Sequence, residues 1–183
     1  MKKVLLTIVS CMVLSFIFAQ KDITSVKPTN TPMKIGLEDI NIACYISLRD
    51  TCSYQTISKK IGDIYGQLMA FTFKNGVKQT NPPFTIYHKF DKGIFDMEAA
   101  IPIDKCIKAE GNIKCKDGKP FKAAVAYYYG SYNKIGGVYK ELDEWIKKNN
   151  KHIIGAPWEI YVTDPTSEKD TAKWLTKVLF PVQ

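Results

Sequence analysis

An internal repeat with a spacing of 74 residues organises most of this chain. Residues 61–68 (IGDIYGQL) align without a gap with residues 135–142 (IGGVYKEL), and residues 83–87 (PFTIY) align with residues 157–161 (PWEIY) at the same offset. Such a repeat indicates that each half is one supersecondary unit, which buries its apolar face only by packing with the other. The sequence therefore predicts one domain made of two equivalent units.

Hydrophobic periodicity predicts the same order of elements in both units: strand, helix, strand, strand. In the first unit, apolar residues alternate over residues 42–48 and then recur at helical spacing from Ile57 to Phe71, and Asn75-Gly76 is a helix stop signal. The pattern predicts an α+β fold in which two tandem modules form one mostly antiparallel sheet, with two helices on one face and a ligand groove on the other. The expected boundaries are module one at 36–104, a hairpin insert at 105–120 and module two at 121–183.

Alternation with period two assigns the side chains of the strand after each helix to faces. We expect one set to pack beneath the helices: Phe84, Ile86, Trp158, Ile160 and Val162. The opposite set would then line the groove: Thr85, Tyr87, Glu159 and Tyr161. The repeat keeps the tyrosine in both units but replaces Thr85 by the carboxylate of Glu159.

The N-terminal residues are typical of a signal peptide. A basic start, Met1–Lys3, precedes an almost wholly apolar stretch, and the sequence becomes polar after Ala19. We expect residues 1–19 to be removed, residues 20–35 to form a flexible tether, and the protein to be periplasmic or secreted. The apolar stretch is shorter than the ~20 residues that a spanning helix needs, so the mature form is expected to lack a membrane span. Lipidation at Cys11 is a second, less favoured hypothesis.

Export would place the remaining cysteines in an oxidising compartment, where they are disulfide candidates: Cys44, Cys52, Cys106 and Cys115. Cys106 and Cys115 flank Glu110-Gly111 symmetrically, so a hairpin there would bring their side chains together, and we favour that bridge. Cys44 and Cys52 would lie too far apart on one straight strand to form a disulfide, so they pair only if the strand bends, or they stay free. No CxxC motif is present, and no metal site is expected.

Four segments of the second unit resemble one known family: Gly130-Ser131-Tyr132, the helix with Tyr139–Leu142 and Trp145, residues 155–165 (GAPWEIYVTDP), and Phe180-Pro181-Val182. They resemble the GyrI-like, or AraC-type effector-binding, domain over about residues 36–183. The resemblance implies a groove lined by aromatic residues. It also implies that a glutamate at the position of Glu159 meets the cationic centre of a ligand. Some stand-alone members resemble hydrolases of strained electrophilic small molecules.

The candidate ligand-binding residues are Glu159, Tyr161, Tyr87, Thr85, Tyr127 and Tyr129. A poorly hydrated carboxylate among tyrosine rings favours a lipophilic cation, which compensates the charge and gains cation–π attraction. Glu159 could instead be an exposed strand residue or be paired with Lys177. Tyr65 and Tyr139 are expected to be core or rim residues.

These observations predict an exported small-molecule binding protein for amphiphilic or cationic ligands, without a cofactor. The net charge is +8, but the lysines are scattered without a basic stripe, so no nucleic-acid partner is expected. An alternative is a hydrolase in which Glu159 is a general base and Tyr161 donates a proton. A weaker alternative is haem binding through His88 or His152.

Overall fold

Each repeat unit folds into the predicted strand, helix and two further strands. The computed structural model describes residues 33–183. In chain order the elements are β1 (Lys34–Ile40), β2 (Cys44–Ser53), α1 (Ile57–Asn75), β3 (Phe84–Asp91), β4 (Ile94–Pro102), β5 (Lys114–Asp117), β6 (Phe121–Tyr129), α2 (Gly136–Lys148), β7 (Trp158–Tyr161) and β8 (Leu175–Pro181). The proposed signal peptide and Cys11 lie outside the described residues.

All eight strands form one antiparallel sheet in the order β1-β6-β8-β7-β3-β4-β2-β5. The order is symmetric about the junction of β7 and β3, as expected for a duplicated fold. Each edge strand pairs with the other unit. β1, which precedes β2 of the first unit, pairs with β6 of the second, and β5, which precedes β6, pairs with β2. The sequence patterns did not predict either edge strand. β1 starts at Lys34, within the range expected to be tether, and β5 lies in the expected hairpin insert.

The two helices cover the two ends of one face of the sheet. Helix α1 packs on β2 and β4, and α2 packs on β6 and β8, which leaves the central strands β3 and β7 between them. The packed side of α1 includes Ile64 and Leu68, and that of α2 includes Leu142 and Ile146. Each such side chain contributes roughly 1.5–3 kcal/mol when it is withdrawn from water. Helix α1 ends as predicted, because Gly76 adopts a left-handed conformation with φ of 60°.

The predicted assignment of the strand faces was the wrong way round. Phe84, Ile86, Trp158 and Ile160 lie on the face away from the helices, where the Phe84 and Trp158 rings stack with centroids 4.7 Å apart. Glu159 and its neighbours therefore point toward the helices. Alternation shows which residues share a face, but which face the helices cover depends on packing that is distant in sequence.

The predicted Cys106–Cys115 disulfide is also wrong, because Cys106 is bonded to Cys44 with a Cα–Cα distance of 5.7 Å. The expected turn at Glu110-Gly111 forms, but after one bridge, between Glu110 and Ile113, the chain leaves the hairpin and pairs with β2 as β5. Because of this pairing, Cys106 forms its disulfide with Cys44 instead of Cys115. Cys44 and Cys52 are not bonded to each other, and Cys52 is free.

Within residues 33–183, neither helix combines the length and the apolar character needed to cross a bilayer.

Candidate functional site

Glu159 lies at the centre of the sheet, on the face that carries the helices. It is in β7, directly opposite Thr85 of β3. Only 6% of its surface is exposed. Tyr65 of α1 and Tyr139 of α2 both reach the central strands, since Tyr65 contacts Thr85 and Tyr139 contacts Glu159. The carboxylate therefore lies on the sheet between the two helices, in a region that we refer to as the cleft.

Three tyrosine hydroxyls donate hydrogen bonds to this carboxylate. Tyr139 donates to Oε1 at 2.6 Å. Tyr161 and Tyr87 donate to Oε2 at 2.9 Å and 3.1 Å. The hydroxyl oxygens of Tyr87 and Tyr161 are themselves 3.3 Å apart. Glu159 is thus held in one orientation by donors that carry no charge.

No lysine, arginine or histidine of residues 33–183 forms an ion pair with Glu159. Burial raises the pKa of Glu159, although hydrogen bonds from Tyr139, Tyr161 and Tyr87 act in the opposite direction. A buried carboxylate without a counter-charge is unfavourable, and a cation that entered the cleft would relieve that cost.

A second buried glutamate, Glu98 on the other face of the sheet, shows how a cationic partner changes the pKa of a buried carboxyl group. Glu98 is 2% exposed, yet Lys116 and His88 bind its carboxylate. Burial acts to raise the pKa of Glu98, but hydrogen bonds led by that from Lys116 outweigh it, and the pKa is lowered. The pKa shifts of the two glutamates have opposite signs because, among residues 33–183, only Glu98 has a cationic partner.

The surroundings of Glu159 follow the symmetry of the repeat. Tyr65 and Tyr139 are equivalent helix residues, and each hydroxyl meets the equivalent strand residue of its own unit. The Tyr65 hydroxyl is 3.1 Å from Thr85 Oγ1, whereas the Tyr139 hydroxyl is 2.6 Å from Glu159 Oε1. The difference between threonine and glutamate places a single negative charge in an otherwise nearly symmetric cleft.

Aromatic rings form the walls of the cleft. Tyr161 packs edge-on against Tyr65 and Tyr132, with centroid distances of 6.2 Å and 5.5 Å. Tyr132 extends the wall to Trp174 at 5.1 Å, and in the other unit Tyr87 contacts Phe95 at 6.0 Å. These rings are half-buried, so part of each faces solvent. The cleft offers flat π-surfaces on both sides of the acid.

The tyrosine hydroxyls remain protonated donors at physiological pH. Burial, followed by the charge of Glu159, raises the pKa of Tyr139, Tyr87 and Tyr161. The same two causes raise the pKa of Tyr132 to about 12. Glu159 is consequently the group of this cluster whose charge can change below the pH range in which the tyrosines ionise.

Four of the six predicted ligand-binding residues meet in this cluster: Glu159, Tyr161, Tyr87 and Thr85. The other two, Tyr127 and Tyr129, lie outside it. Tyr127 lies on the opposite face, where its hydroxyl donates to Glu38, and Tyr129 is 62% exposed. Lys177, the suggested partner of Glu159, instead binds Glu38 at 3.0 Å.

Tyr65, Tyr139 and Tyr132 also belong to the cluster, although they were not among the predicted ligand-binding residues. The repeat carried a usable signal, because it keeps a tyrosine at both 65 and 139. His88, one of the two histidines considered for haem binding, places its Nε2 3.0 Å from Glu98 on the other face.

A cavity of about 290 Å³ opens on the face away from the helices, beside Glu38, Asp39 and Lys177. It lies where the groove was expected, but Glu159 does not line it. Both of its carboxylates are already paired, Glu38 with Lys177 and Asp39 with Lys122. The unpaired charge is in the helix-side cleft, which is therefore the stronger candidate site.

Comparison with known proteins agrees with this architecture. The sequence profile of the GyrI-like small molecule binding domain matches residues 33–183. The crystal structure of the EcmrR C-terminal domain is 24% identical with a TM-score of 0.75, covering 84% of this chain and 99% of that chain. EcmrR in a cryo-EM structure of an EcmrR–DNA complex is 24% identical with a TM-score of 0.74. That match covers 82% of this chain but only 57% of the EcmrR chain.

A more distant structure is that of SAV2435 bound to tetraphenylphosphonium. It is 12% identical with a TM-score of 0.54, and the match covers 82% of this chain and 94% of that chain. At these identities, likeness to a solved structure shows the fold alone. A search among curated proteins finds no similar sequence.

Proposed function

Because this chain belongs to the GyrI-like small molecule binding domain family, we propose that its cleft binds lipophilic cations, with Glu159 as the counter-charge. The observation that carries this proposal is the burial of the Glu159 carboxylate without a cationic partner among the described residues. A ligand that supplies the missing positive charge gains attraction that a neutral ligand of the same shape does not.

The aromatic walls favour ligands whose charge is surrounded by apolar groups. A quaternary ammonium or phosphonium centre gains roughly 0.5–2 kcal/mol from each well-placed aromatic face. Tyr161 and Tyr87 combine such a face with a hydroxyl that holds Glu159 in place. A compact, strongly hydrated cation such as Na⁺ would lose its water and gain none of these contacts. That SAV2435 was solved with tetraphenylphosphonium supports the choice of this ligand class.

Two probes of the same shape and opposite charge test the proposal. Tetraphenylphosphonium and tetraphenylborate are titrated into purified protein, and heat or tyrosine fluorescence is followed. We expect the wild type to prefer the cation strongly and Glu159→Gln to lose that preference, because the variant keeps the shape of the cleft but not its charge.

Glu98→Gln is the matched control, since it removes another buried carboxylate from the opposite face of the sheet. It should leave the preference for the cation intact. Equal affinity of the wild type for both probes would refute the role of Glu159.

A second candidate function is hydrolysis of small electrophilic molecules, favoured by the raised pKa of Glu159. A raised pKa makes a carboxylate a stronger base and therefore a better general base. The raised pKa of Tyr161 makes this tyrosine a hydrogen-bond donor to developing negative charge rather than a strong acid. Turnover of activated esters and epoxides that disappears in Glu159→Gln but persists in Glu98→Gln would support the enzyme, and absence of turnover would reject it.

We further propose that the protein is exported, on the composition of residues 1–19. The N-terminal sequence of the protein recovered from fractionated cells tests this, and an intact Met1 in the cytoplasmic fraction would contradict it. The expected lack of a nucleic-acid partner remains a prediction.

A further inference from the structure

Three cysteine sulfurs from separate segments meet beside the edge strand β5. They belong to Cys44 at the start of β2, Cys106 in the loop after β4, and Cys115 in β5. All three Sγ atoms lie within 4.8 Å of one another. Cys44 is bonded to Cys106, and Cys115 Sγ lies 3.6 Å from Cys44 Sγ. Cys52, the other free cysteine of the part of the chain that the structure describes, is at the far end of β2, outside this group.

Two further groups complete the surroundings of these sulfurs. Asp117, directly opposite Cys44 in the β2–β5 register, places Oδ1 3.0 Å from Cys106 Sγ. The backbone N–H of Ile107 donates to Cys115 Sγ at 3.3 Å, an interaction that stabilises a thiolate. The three sulfur atoms thus lie within 4.8 Å of one another, and the Asp117 carboxylate lies beside one of them, Cys106 Sγ.

The spacing of these atoms suits a metal better than disulfide exchange. In tetrahedral zinc sites Zn–S bonds are about 2.3 Å, which places the sulfurs about 3.8 Å apart. Cys115 and Cys44 are already close to this separation. For an in-line attack of Cys115 on Cys44, the sulfurs of Cys115 and Cys106 would have to lie about 5.6 Å apart, given a 2.05 Å disulfide bond. They lie closer than that.

We propose that the reduced protein binds one Zn²⁺ through Cys44, Cys106, Cys115 and Asp117. A dithiol reductant supplies two electrons and two protons, which convert the disulfide into two thiols while the reductant forms its own disulfide. Zn²⁺ then displaces three thiol protons to solvent and forms three Zn–S bonds. Cys106 is on an exposed loop, so it can move to the required distance once its bond to Cys44 is broken.

The charge and position of the site fit this role. Three thiolates and one carboxylate exceed the charge of Zn²⁺ by two, and nearby lysines of the same segment carry positive charge: Lys105, Lys108 and Lys114. The ligands join the loop after β4 and strand β5 to β2. The metal would therefore replace the disulfide as the link that holds this edge of the sheet.

Metal titration of the reduced protein tests the proposal. Protein reduced with dithiothreitol is freed of reductant under nitrogen and titrated with Co²⁺, followed by Zn²⁺. We expect a thiolate-to-cobalt charge-transfer band that saturates at one equivalent, is removed by Zn²⁺, and is absent from the oxidised protein. Cys115→Ser should weaken Zn²⁺ binding at least about 100-fold and Asp117→Asn about 10-fold, whereas Cys52→Ser should leave it unchanged.

Alkylation of the wild type provides a readout that does not depend on how the variants fold. Zn²⁺ should protect Cys44, Cys106 and Cys115 from iodoacetamide, as mapped by mass spectrometry, while Cys52 reacts equally with and without metal. Absence of the charge-transfer band, or equal protection of Cys52, would overturn the site. Binding of Cu⁺ alone, insensitive to Asp117→Asn, would overturn its assignment to zinc.

Discussion

The affinity of the cleft for a permanent cation should depend on pH through Glu159 alone. The perturbation is a change of pH across the raised pKa of this carboxyl, with tetraphenylphosphonium as a ligand that does not titrate. Protonated Glu159 offers no counter-charge, so the cation should bind weakly at low pH and more tightly as the proton leaves. The tyrosines around Glu159 do not compete as titrating groups, because their pKa values are raised.

The magnitude follows from Coulomb's law. A phosphonium centre screened by its phenyl groups would approach the carboxylate to about 6 Å, where an effective dielectric constant of about 20 gives roughly 3 kcal/mol. That energy corresponds to about two pKa units, or about 100-fold in affinity. Ligand binding should therefore lower the pKa of Glu159 by about two units, and the apparent affinity should rise about 100-fold between the two pKa values. Above the pKa of the free protein the affinity should become constant.

Calorimetry in two buffers of different ionisation enthalpy measures this linkage. Between the two pKa values we expect release of up to one proton per cation bound, and none from Glu159→Gln. The affinity of the variant should be independent of pH and equal to that of the wild type at low pH. Proton release by the variant, or a wild type whose affinity stays constant with pH, would refute the assignment of the charge to Glu159.

Three further predictions concern stability and the roles of single side chains. Because the pKa of Glu159 is raised in the folded state, the wild type should lose stability as pH rises from the ordinary glutamate pKa to this raised value. At neutral pH, Glu159→Gln should melt at a higher temperature than the wild type. Thermal denaturation should show this difference in melting temperature disappearing below about pH 4. Tyr139→Phe removes the 2.6 Å donor, so cation binding should require a higher pH, whereas Tyr65→Phe, its equivalent in the other unit, should leave the pH profile unchanged. Reduction of Cys44–Cys106, which closes a loop with a sequence separation of 62, should cost about 4 kcal/mol in urea unfolding without metal, and an unchanged midpoint would argue against the bridge.

The repeat made much of the fold predictable. Both units have the predicted order of elements, α1 ends at the predicted Gly76, and the sheet is antiparallel with two helices. The repeat also singled out Glu159 as the position at which the two units differ in charge. These results rest on patterns within a few residues of one another, or on direct comparison of two segments of the chain.

The edge strands and the disulfide could not be obtained in this way. β1 pairs with β6 and β5 pairs with β2, partners that are far apart in sequence. The pairing of β5 with β2 also determines which sulfur Cys44 meets. A symmetric spacing of Cys106 and Cys115 around a turn was misleading, because the chain leaves the hairpin after a single bridge.

The duplicated architecture and the set of residues that alternate with Glu159 along the strand could be derived from the amino-acid sequence alone. Long-range packing places this set on the side of the helices, so that Tyr65 and Tyr139 join Tyr87 and Tyr161 around the acid. Alternation divides a strand into two faces without distinguishing them. Which face the helices pack on depends on the apolar area of each face of the whole sheet. That area is the sum of contributions from strands in both halves of the chain.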